Sequence, residues 1–460
     1  MRSQAGAWER EQRKEFIMEK IFLITGIMLA LFSISYAQAD FSINGFLKTD
    51  NRMLTDDNYF TWNENQLGLK FEGSYSDNYH LYSEVRLRGF GFPEISQTTD
   101  LQGKDKVYKW DLEFREAYLD LYQFGLQDLD VRIGRQIITW GTADRLNPTG
   151  NICPEDLEDV FNFGEQSGVN SVLATYYWGD FTFSGVYVPA FTPAVLPSGI
   201  YASALSTPME LPEGMTLRKY WDKIILPEQK FTESSQAALK VGTSLFDYDI
   251  SLSYYYGRDD LPLLNKVIIF PADTLGTVDV TAEMIYPKMK VIGADFAGSL
   301  FDVGIWGEAA LTIPDEVEMQ TIVGDSITKS IALKNDPYCK FVLGGDYTFK
   351  NGIYVNTQYL HGFIHERGND DLNDYLTFRI EKKFFNGELK IVPIGGAISV
   401  TDRNDYKNNY GFVVNPEITY YPYDNIELLF GAYIIDGKGS NMFSRLKGND
   451  EVYFKAKVSF

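Results

Sequence analysis

The strongest constraint on the fold is a side-chain alternation that recurs from about residue 41 to the C-terminus. In the last segment one face carries Val452, Phe454, Ala456, Val458 and Phe460, and the other carries Glu451, Tyr453, Lys455, Lys457 and Ser459. A period of two residues is typical of a β-strand whose two faces meet different environments. Eighteen such segments are predicted between residues 41 and 460.

Short and long connections alternate between these segments. Tight turns such as Trp178-Gly179-Asp180 and Lys350-Asn351-Gly352 occupy the short ones. The long connections are predicted near residues 91–110, 141–168, 191–234, 258–287, 314–338 and 437–450. We therefore expect an all-β fold, a transmembrane antiparallel up-and-down β-barrel of about 16 to 18 strands, with short periplasmic turns and long extracellular loops. A soluble β-sandwich or propeller is the alternative.

Residues 1–39 are interpreted as an extended start followed by a cleaved secretory signal peptide. An apolar run from Ile21 to Ile34 follows a short basic flank, and Ala37 and Ala39 are the small residues expected at a cleavage site. An uncleaved anchor is the alternative, but a spanning helix needs about 20 apolar residues. Residues 40–460 then form a single barrel domain in the cell outer membrane.

The charge of the predicted mature chain is strongly acidic. Residues 40–460 carry 37 basic and 59 acidic side chains, a net charge of −22. Nucleic-acid binding depends on clustered Lys and Arg, so we expect no nucleic-acid partner. Runs such as 154–159 and 259–260 are interpreted as solvated loops, and the alternative is a surface bridged by divalent cations or attraction of cations toward the mouth.

The chain resembles the Gram-negative outer-membrane porin-like β-barrels. The signal, the hairpin alternation and a last strand ending in Phe460 carry this resemblance, and the stretch Arg132-Ile133-Gly134-Arg135-Gln136 followed by Trp140-Gly141 and Asn147-Pro148 is similar to relatives of the alginate-export barrels. The resemblance implies passive passage of small polar solutes, contact with outer-membrane lipid, and recognition of the strand ending in Phe460 by the barrel assembly machinery. The solute and the oligomeric state stay open, with a homotrimer among the options.

With the apolar face toward lipid, the polar face lines the lumen, because an arginine in mid-bilayer costs roughly 2 to 4 kcal/mol. The residues predicted to line the pore are Glu84, Arg86, Arg88, Glu113, Arg115, Glu116, Arg132, Arg135 and Gln136. Continued alternation would turn Arg115 and Arg135 toward lipid, so a β-bulge is predicted at or near Gly134. The resulting charged patch either neutralises itself or selects solutes, and these roles are compatible.

The connection 141–168 is a candidate constriction loop. It contains a predicted short helix at 154–161 with acidic residues in its first turn. We expect the connection to fold inward and narrow the pore, and the alternative is that it caps the mouth. Cys153 and Cys339 either pair, which would pin this loop, or remain two free thiols, which we favour.

No catalytic or metal site is predicted, and no cofactor. His361 and His365 have a spacing that would converge on a metal only in a helix, whereas here they end a strand and enter a loop. No nucleophile elbow accompanies any of the three histidines. The expected function is therefore a passive diffusion channel for small polar or charged solutes rather than an enzyme. The alternative is a plugged barrel that serves as a surface receptor, adhesin or structural anchor.

Overall fold

A computed structural model describes residues 40–93, 95–205, 211, 214–273 and 276–460, so the predicted signal at 1–39 lies outside the described residues. The strands are β1 Asp40–Leu54, β2 Phe60–Tyr75, β3 Tyr79–Phe90, β4 Lys109–Leu121, β5 Leu129–Gln136, β6 Val169–Trp178, β7 Phe181–Val188, β8 Thr216–Ile225, β9 Gln236–Leu245, β10 Tyr248–Arg258, β11 Leu263–Pro271, β12 Thr277–Ile285, β13 Lys288–Leu300, β14 Val303–Pro314, β15 Val317–Val323, β16 Ser326–Leu333, β17 Tyr338–Thr348, β18 Ile353–His361, β19 Asp374–Phe384, β20 Leu389–Val400, β21 Tyr410–Val414, β22 Glu417–Tyr423, β23 Ile426–Lys438 and β24 Glu451–Ser459. The short α-helices are α1 Lys104–Val107, α2 Phe231–Ser234 and α3 Met442–Arg445, and 3-10 turns cover Asp100–Gln102, Gly199–Ala204 and Phe385–Gly387.

Nineteen of these strands pair in one sheet that closes on itself. Strands β21 and β22 share their neighbours and are separated at Pro416, whose missing N–H interrupts the ladder. They count as one barrel strand, so the barrel has eighteen. The last strand pairs antiparallel with the first, and Phe460 exchanges two backbone hydrogen bonds with Gly45 at 2.8 and 2.9 Å. The predicted antiparallel barrel is confirmed.

Outward and inward faces of the strands differ as the alternation predicts. In β24, Phe454 and Val458 are exposed on the outside, whereas Glu451 and Tyr453 are buried inside. Large apolar side chains are exposed in this way around the circumference, among them Leu47, Leu87, Ile133, Leu239, Leu252, Ile292, Leu343, Leu376 and Phe430. This apolar exterior is that of a transmembrane barrel, and it places the protein in an outer membrane.

The two rims of the barrel have different connections. On the rim that holds both ends of the described chain, neighbouring strands join through turns of two to seven residues. In two of them, Phe246-Asp247 and Phe301-Asp302, both residues have positive φ, the geometry of a tight hairpin turn. The opposite rim carries a connection of five residues between β1 and β2 and connections of nine or more residues elsewhere. No helix in the described part of the chain has the length and apolar character needed to span a bilayer.

Three long connections together form a second sheet that the sequence did not predict. Its five strands run in the order β16-β15-β11-β12-β8 and belong to the connections between β7 and β9, β10 and β13, and β14 and β17. The β11–β15 and β12–β8 pairs are parallel, and each joins strands from different connections. Val267, Ile269, Val278 and Val280 form a separate small core on this sheet.

Candidate functional site: the lumen and its inserted loop

The connection between β5 and β6, residues 137–168, lies inside the barrel against a basic wall and is called the inserted loop below. Its carboxylates pair with wall arginines: Asp159 with Arg52 at 2.8 Å, Glu158 with Arg88 at 2.7 Å, and Glu165 with Arg86 at 3.1 Å and with Arg115 at 2.7 Å. Arg52 is only 2% exposed, so its ion pair with Asp159 is largely desolvated. Loss of either partner would leave the other charge without compensation. The expectation that residues 154–159 form a solvated run is wrong.

A β-bulge in β4 turns two successive charged residues toward the lumen. The β3–β4 ladder matches Glu84 to Glu116 and then Val85 to Phe114, which leaves Arg115 as the additional residue. Arg115 therefore reaches the inserted loop, and Glu116 accepts a hydrogen bond at 2.9 Å from the first backbone N–H of that loop. In a regular strand, either Arg115 or Glu116 would point to the outside of the barrel.

The bulge expected at or near Gly134 thus lies on the neighbouring strand, since the β4–β5 ladder is regular. Gly134 nevertheless has φ of 134°, and a Cβ there would lie 2.3 Å from the carbonyl oxygen of Ala117. Next to it, the Arg135 Nε donates to the Phe114 carbonyl at 2.6 Å, beside the bulge. The irregularity therefore involves both β4 and β5, and the Arg135 side chain is bound to the backbone of β4.

The other residues predicted to line the pore differ in their access to water. Arg86, Arg88 and Glu113 border a gap of about 70 Å³ between wall and loop. Glu84 is 4% exposed and accepts a hydrogen bond from Arg86 at 2.8 Å. Gln136 is fully buried and donates to the backbone of β6 at 3.2 Å, so its expected contact with lumen water is wrong.

Arg132 lies apart from the basic wall, on the part of β5 near the short-turn rim. Its guanidinium donates to Asp120 at 2.6 Å and stacks over the Tyr118 ring at 3.9 Å from the centroid. The Arg132 side chain is 32% exposed. Among the residues predicted to line the pore, Arg132 therefore carries a charge that a solute in the lumen can approach.

The inserted loop also contacts the opposite wall. The Thr149 hydroxyl donates to Glu308 of β14 at 2.6 Å, and Asp144 exchanges two hydrogen bonds of 2.9 Å with the Gln358 side chain of β18. Farther along, Phe161 stacks on a tyrosine of β23 at 3.8 Å between ring centroids. The loop therefore spans the lumen and divides it.

Residues 154–161 do not form the predicted helix. Glu155 makes an isolated β-bridge with Gln166, and Asp156 makes one with Val195 of the next long connection. Residues 155 and 156 form these bridges and residues 158–161 form bends and turns, because the backbone pairs with these neighbours while the acidic side chains of 158 and 159 bind the wall. Cys153 and Cys339 are free thiols, Cys153 buried and Cys339 exposed.

An apolar cluster closes part of the lumen at the long-loop rim. Four connections contribute: Leu146 and Val160 of the inserted loop, Tyr201 and Ala204 of the next connection, Phe363, and Met442, Phe443 and Leu446 around α3. The Tyr201 hydroxyl donates to Glu451 of β24. Several loops, and not one, therefore narrow this end of the barrel.

A cavity of about 570 Å³ remains between the inserted loop and the wall formed by β18 to β24. Its aromatic lining is Phe161, Phe163, Phe363, Tyr375, Phe378, Tyr433 and Phe443, and its charged lining is Asp144, Arg145, Arg379, Lys390, Glu417 and Lys455. Its wall strands are β18 to β24, whereas the arginines that pair with the loop lie on β1, β3 and β4.

Two acidic groups of the loops have pKa values shifted in opposite directions. Burial alone would raise the pKa of Asp159, but the Arg52 charge outweighs it and holds the pKa well below its usual value. Burial, and then the nearby Asp260 carboxylate, raise the pKa of Glu155 to about 8. The Asp260 carboxylate also accepts a hydrogen bond at 2.7 Å from the Glu155 backbone N–H. One carboxylate therefore anchors the loop as an anion, and the other is protonated at neutral pH.

The histidines do not converge. His80 lies 3.1 Å from Asp120 and His361 lies 3.0 Å from Asp374, while His365 is packed beside the Phe363 ring. Within the described residues, no group of three or more His, Cys, Asp or Glu side chains is arranged to hold a metal ion.

Comparison with solved structures identifies the architecture. OccAB3 of Acinetobacter baumannii is similar with a TM-score of 0.50 and 10% identity, over 92% of this chain and 99% of that one. The two proteins share the closed antiparallel β-barrel fold. OmpT of Vibrio cholerae (TM-score 0.43, 12% identity, 92% and 98% covered) and OmpF of Salmonella typhi (0.40, 10%, 91% and 97%) are more distant likenesses. No family model and no curated protein matches the chain, and the relation to alginate-export barrels stays a prediction.

Sequence reasoning missed Arg52 and Asp159, which anchor the loop. The alternation predicts a first strand near residues 41–51, which ends just before Arg52, whereas β1 extends to Leu54. The alternation from Lys48 through Asp50 to Arg52 was a usable signal for an inward side chain. No such signal existed for its partner, because Asp159 reaches the wall only through the path of the loop.

Proposed function

We propose that this protein is a porin-like channel through which small polar or charged solutes diffuse. The observation that carries the proposal is the cavity of about 570 Å³ inside a closed barrel, bounded by wall and inserted loop. The mechanism is steric exclusion together with electrostatic selection by side chains that face the lumen. No covalent step is required of any residue.

The inserted loop would then act as the constriction. It crosses the lumen and neutralises the arginines of β1 to β4 with its own carboxylates, so these arginines are not available to solute. Selection therefore falls to charges away from that interface, such as Arg132 and the cations of the cavity. The narrow lumen predicts a conductance below that of an unobstructed barrel of eighteen strands.

Planar-bilayer recording tests the proposal. Purified protein should produce stable ohmic steps, and the steps should grow when residues 152–163 of the inserted loop are replaced by a short Gly-Ser linker. A preparation that migrates as a heat-modifiable barrel on a gel yet never conducts would contradict a channel.

Arg132→Ala is expected to shift the channel toward cations. Removal of the guanidinium takes a positive charge from the lumen wall and leaves the Asp120 carboxylate with His80 and Tyr122 as its remaining side-chain contacts. We expect about a twofold change in the permeability ratio, equivalent to about 0.4 kcal/mol, read from reversal potentials in a salt gradient. Arg135→Ala should change the ratio less, because Arg135 is bound to backbone. Arg403→Ala, at a surface arginine with 73% side-chain exposure, is the control. Unchanged reversal potentials for both Arg132→Ala and Arg135→Ala would remove these residues from selection.

A second candidate function is surface recognition by a plugged barrel. The five-stranded loop sheet favours it, because every residue of edge strand β8 is exposed. Exposed edge strands can pair with a strand of another chain. The absence of conductance together with loss of surface binding after removal of β8 would support this reading. Recognition of Phe460 by the assembly machinery and a homotrimer also remain proposals.

A further inference from the structure

Strand β8 forms one edge of the five-stranded loop sheet. Among the described strands only β12 pairs with it, and the side of β8 that faces away from β12 is called the β8 edge below. All ten residues of β8 are exposed. The backbone N–H and C=O groups along such an edge can bind a strand of another chain, and the side chains decide which strand is accepted.

The ladder with β12 assigns the side chains of β8 to two faces. Residues matched in a ladder share a face, and Val278 and Val280 of β12 lie in the small core of this sheet. Their partners Leu217 and Tyr220 therefore lie on the same, covered face. The opposite face, called the open face below, carries three matched pairs: Lys219 with Asp279, Trp221 with Thr281, and Lys223 with Glu283.

The cations on the open face of β8 are only partly neutralised. Lys223 lies 3.8 Å from Glu283, but Lys266 of β11 binds the other oxygen of that carboxylate at 2.9 Å. The Lys223 side chain is 64% exposed. Lys219 lies 6.0 Å from the ring centroid of Trp221 and forms no ion pair with a described carboxylate. Two lysines on one face of an edge strand attract acidic side chains on a neighbouring strand.

The charge of β8 is opposite in sign to that of the whole chain. Its three cations and one carboxylate give a net charge of +2, whereas the full sequence has a net charge of −21. Arg218 is the additional residue of a bulge and is bound to a carboxylate of β12 at 2.6 and 2.8 Å. The carboxylate of β8, Asp222, is matched to buried Ala282 and so lies on the covered face. Like charges on an edge disfavour pairing of β8 with a second copy of itself.

The apolar side chains on the covered face of β8 extend beyond the small core. Leu217, Tyr220 and Ile224 are 41% to 45% exposed, whereas Val278 and Val280 of the neighbouring strand are buried. A further strand on the β8 edge would place its own side chains beside these three residues and remove them from water. The two faces of β8 therefore favour different side chains, apolar on one and acidic on the other.

We propose that the β8 edge binds an extended segment of a partner protein in which acidic and apolar residues alternate. Its carboxylates would lie beside Lys219 and Lys223, and its apolar side chains beside Leu217 and Tyr220. Backbone hydrogen bonds provide affinity in this mode of binding, and the alternation provides specificity. The β8 edge is the one that favours the second candidate function, and the inference does not depend on whether the barrel conducts.

Calorimetry on the full barrel in detergent tests the β8 edge with three synthetic nonapeptides. The first alternates glutamate and valine, the second alternates lysine and valine, and the third is the first with a methyl group on every backbone nitrogen. We expect the first to bind at least about tenfold more tightly than either of the others, a difference of about 1.4 kcal/mol. The second reverses the charge, and the third keeps the charge but cannot donate backbone hydrogen bonds. No binding of the first peptide, or equal binding of the first and either of the others, would overturn the inference.

Combining Lys219→Glu with Lys223→Glu should reverse the preference, so that the lysine–valine peptide binds more tightly than the glutamate–valine peptide. The matched control combines Lys350→Glu with Lys407→Glu, which changes the net charge equally at exposed lysines of other connections. An equal loss of glutamate–valine binding in the control would reduce the effect to net charge and contradict the site. Replacement of residues 216–225 by a Gly-Ser linker tests the β8 edge independently of charge, and binding that survives it would overturn the inference.

Sedimentation and bilayer recording of the same preparations separate the remaining outcomes. Self-association that is lost when residues 216–225 are replaced would assign the β8 edge to a second copy and contradict an acidic partner. Conductance without binding of the glutamate–valine peptide overturns the site and leaves the proposed channel. Binding without conductance supports the site and contradicts the channel.

Discussion

At the scale of single residues, the position of the inserted loop depends on a few charged contacts. The guanidinium of Arg52 is held between Asp50, its neighbour on β1, and Asp159 of the loop. Hydrogen bonds between charged groups are roughly twice as strong as neutral ones, and burial increases the penalty for losing one partner. A few side chains therefore determine whether the loop stays against the wall.

Asp159→Asn should loosen the inserted loop. Arg52 would keep Asp50 but lose its bidentate partner, so we expect the free energy of unfolding in urea to fall by about 1 to 3 kcal/mol and channel openings to become noisier. Tryptophan fluorescence and bilayer recordings measure the two effects. Asp56→Asn, at an exposed carboxylate, is the control. Equal stability of the two variants would show that the pair does not anchor the loop.

The protonated Glu155 makes stability depend on pH. Its pKa is raised in the folded protein to about 8, so between about pH 4.5 and 8 the folded state binds more protons than the unfolded state. Stability contributed by the neutral carboxyl is present at low pH and is lost as pH rises through this window. The slope for one proton is at most about 1.4 kcal/mol per pH unit.

Urea titrations at pH 5, 7 and 9 measure that slope, and Glu155→Gln should reduce it. The amide is neutral at every pH and retains most of the size of the protonated acid. A slope that is identical in Glu155→Gln and the unmodified protein would assign the dependence to other groups.

At the scale of elements, the β4–β5 irregularity decides which charges reach the lumen. The bulge at Arg115 breaks the alternation, and Gly134 adopts a φ that L-residues rarely adopt. The sequence contained both signals, a glycine and an arginine on the wrong face, but not the strand that takes the additional residue. Which strand takes the additional residue depends on tertiary contacts, because the carboxylate that pairs with Arg115 comes from the inserted loop.

Gly134→Ala should destabilise this strand pair. The new methyl group would meet the Ala117 carbonyl oxygen at 2.3 Å, and the positive φ adds strain. We expect a loss of about 1 to 3 kcal/mol, measured by urea unfolding and by the fraction of heat-modifiable protein after refolding. Gly242→Ala is the control, since a Cβ at Gly242 would lie 3.8 Å from its nearest neighbour, the Ser251 side chain. Similar losses in both would contradict a special role for the bulge region.

At the scale of the whole molecule, the barrel and the loop-borne sheet are distinct structures built from one chain. The barrel sheet closes through β24 and β1, and the other sheet joins strands from three connections without pairing to a barrel strand. Surface connections tolerate deletion when the scaffold does not depend on them. The loop sheet is therefore expected to be removable without opening the barrel.

Replacement of residues 318–332 by a short Gly-Ser linker should leave the barrel intact. We expect unchanged heat-modifiable migration and a conductance within about twofold of the unmodified protein, because β15 and β16 lie outside the barrel sheet. The matched comparison is replacement of residues 152–163, which should increase conductance by removing the loop inside the lumen. Loss of the folded band in the 318–332 variant would show that the second sheet supports the barrel.

The sequence by itself determined the barrel. The alternation has a period of two and recurs in segments long enough to cross a bilayer. In lipid, such strands can pair every backbone N–H and C=O group only if the sheet closes into a barrel. The same rule assigns Arg86, Arg88 and Arg132 to the inside, because charge on the lipid face is costly. These are local or one-dimensional properties, so they can be read from the chain alone.

Only the tertiary structure decided what fills the barrel. The contacts of Arg52 with Asp159, of Glu155 with Asp260 and of Tyr201 with Glu451 join residues far apart in sequence, and no local pattern specifies them. The second sheet likewise arises from parallel pairing between separate connections. Loops inside a lumen are positioned by the sum of ion pairs and packing against all walls at once, which is why the cavity and its charge distribution appeared only in three dimensions.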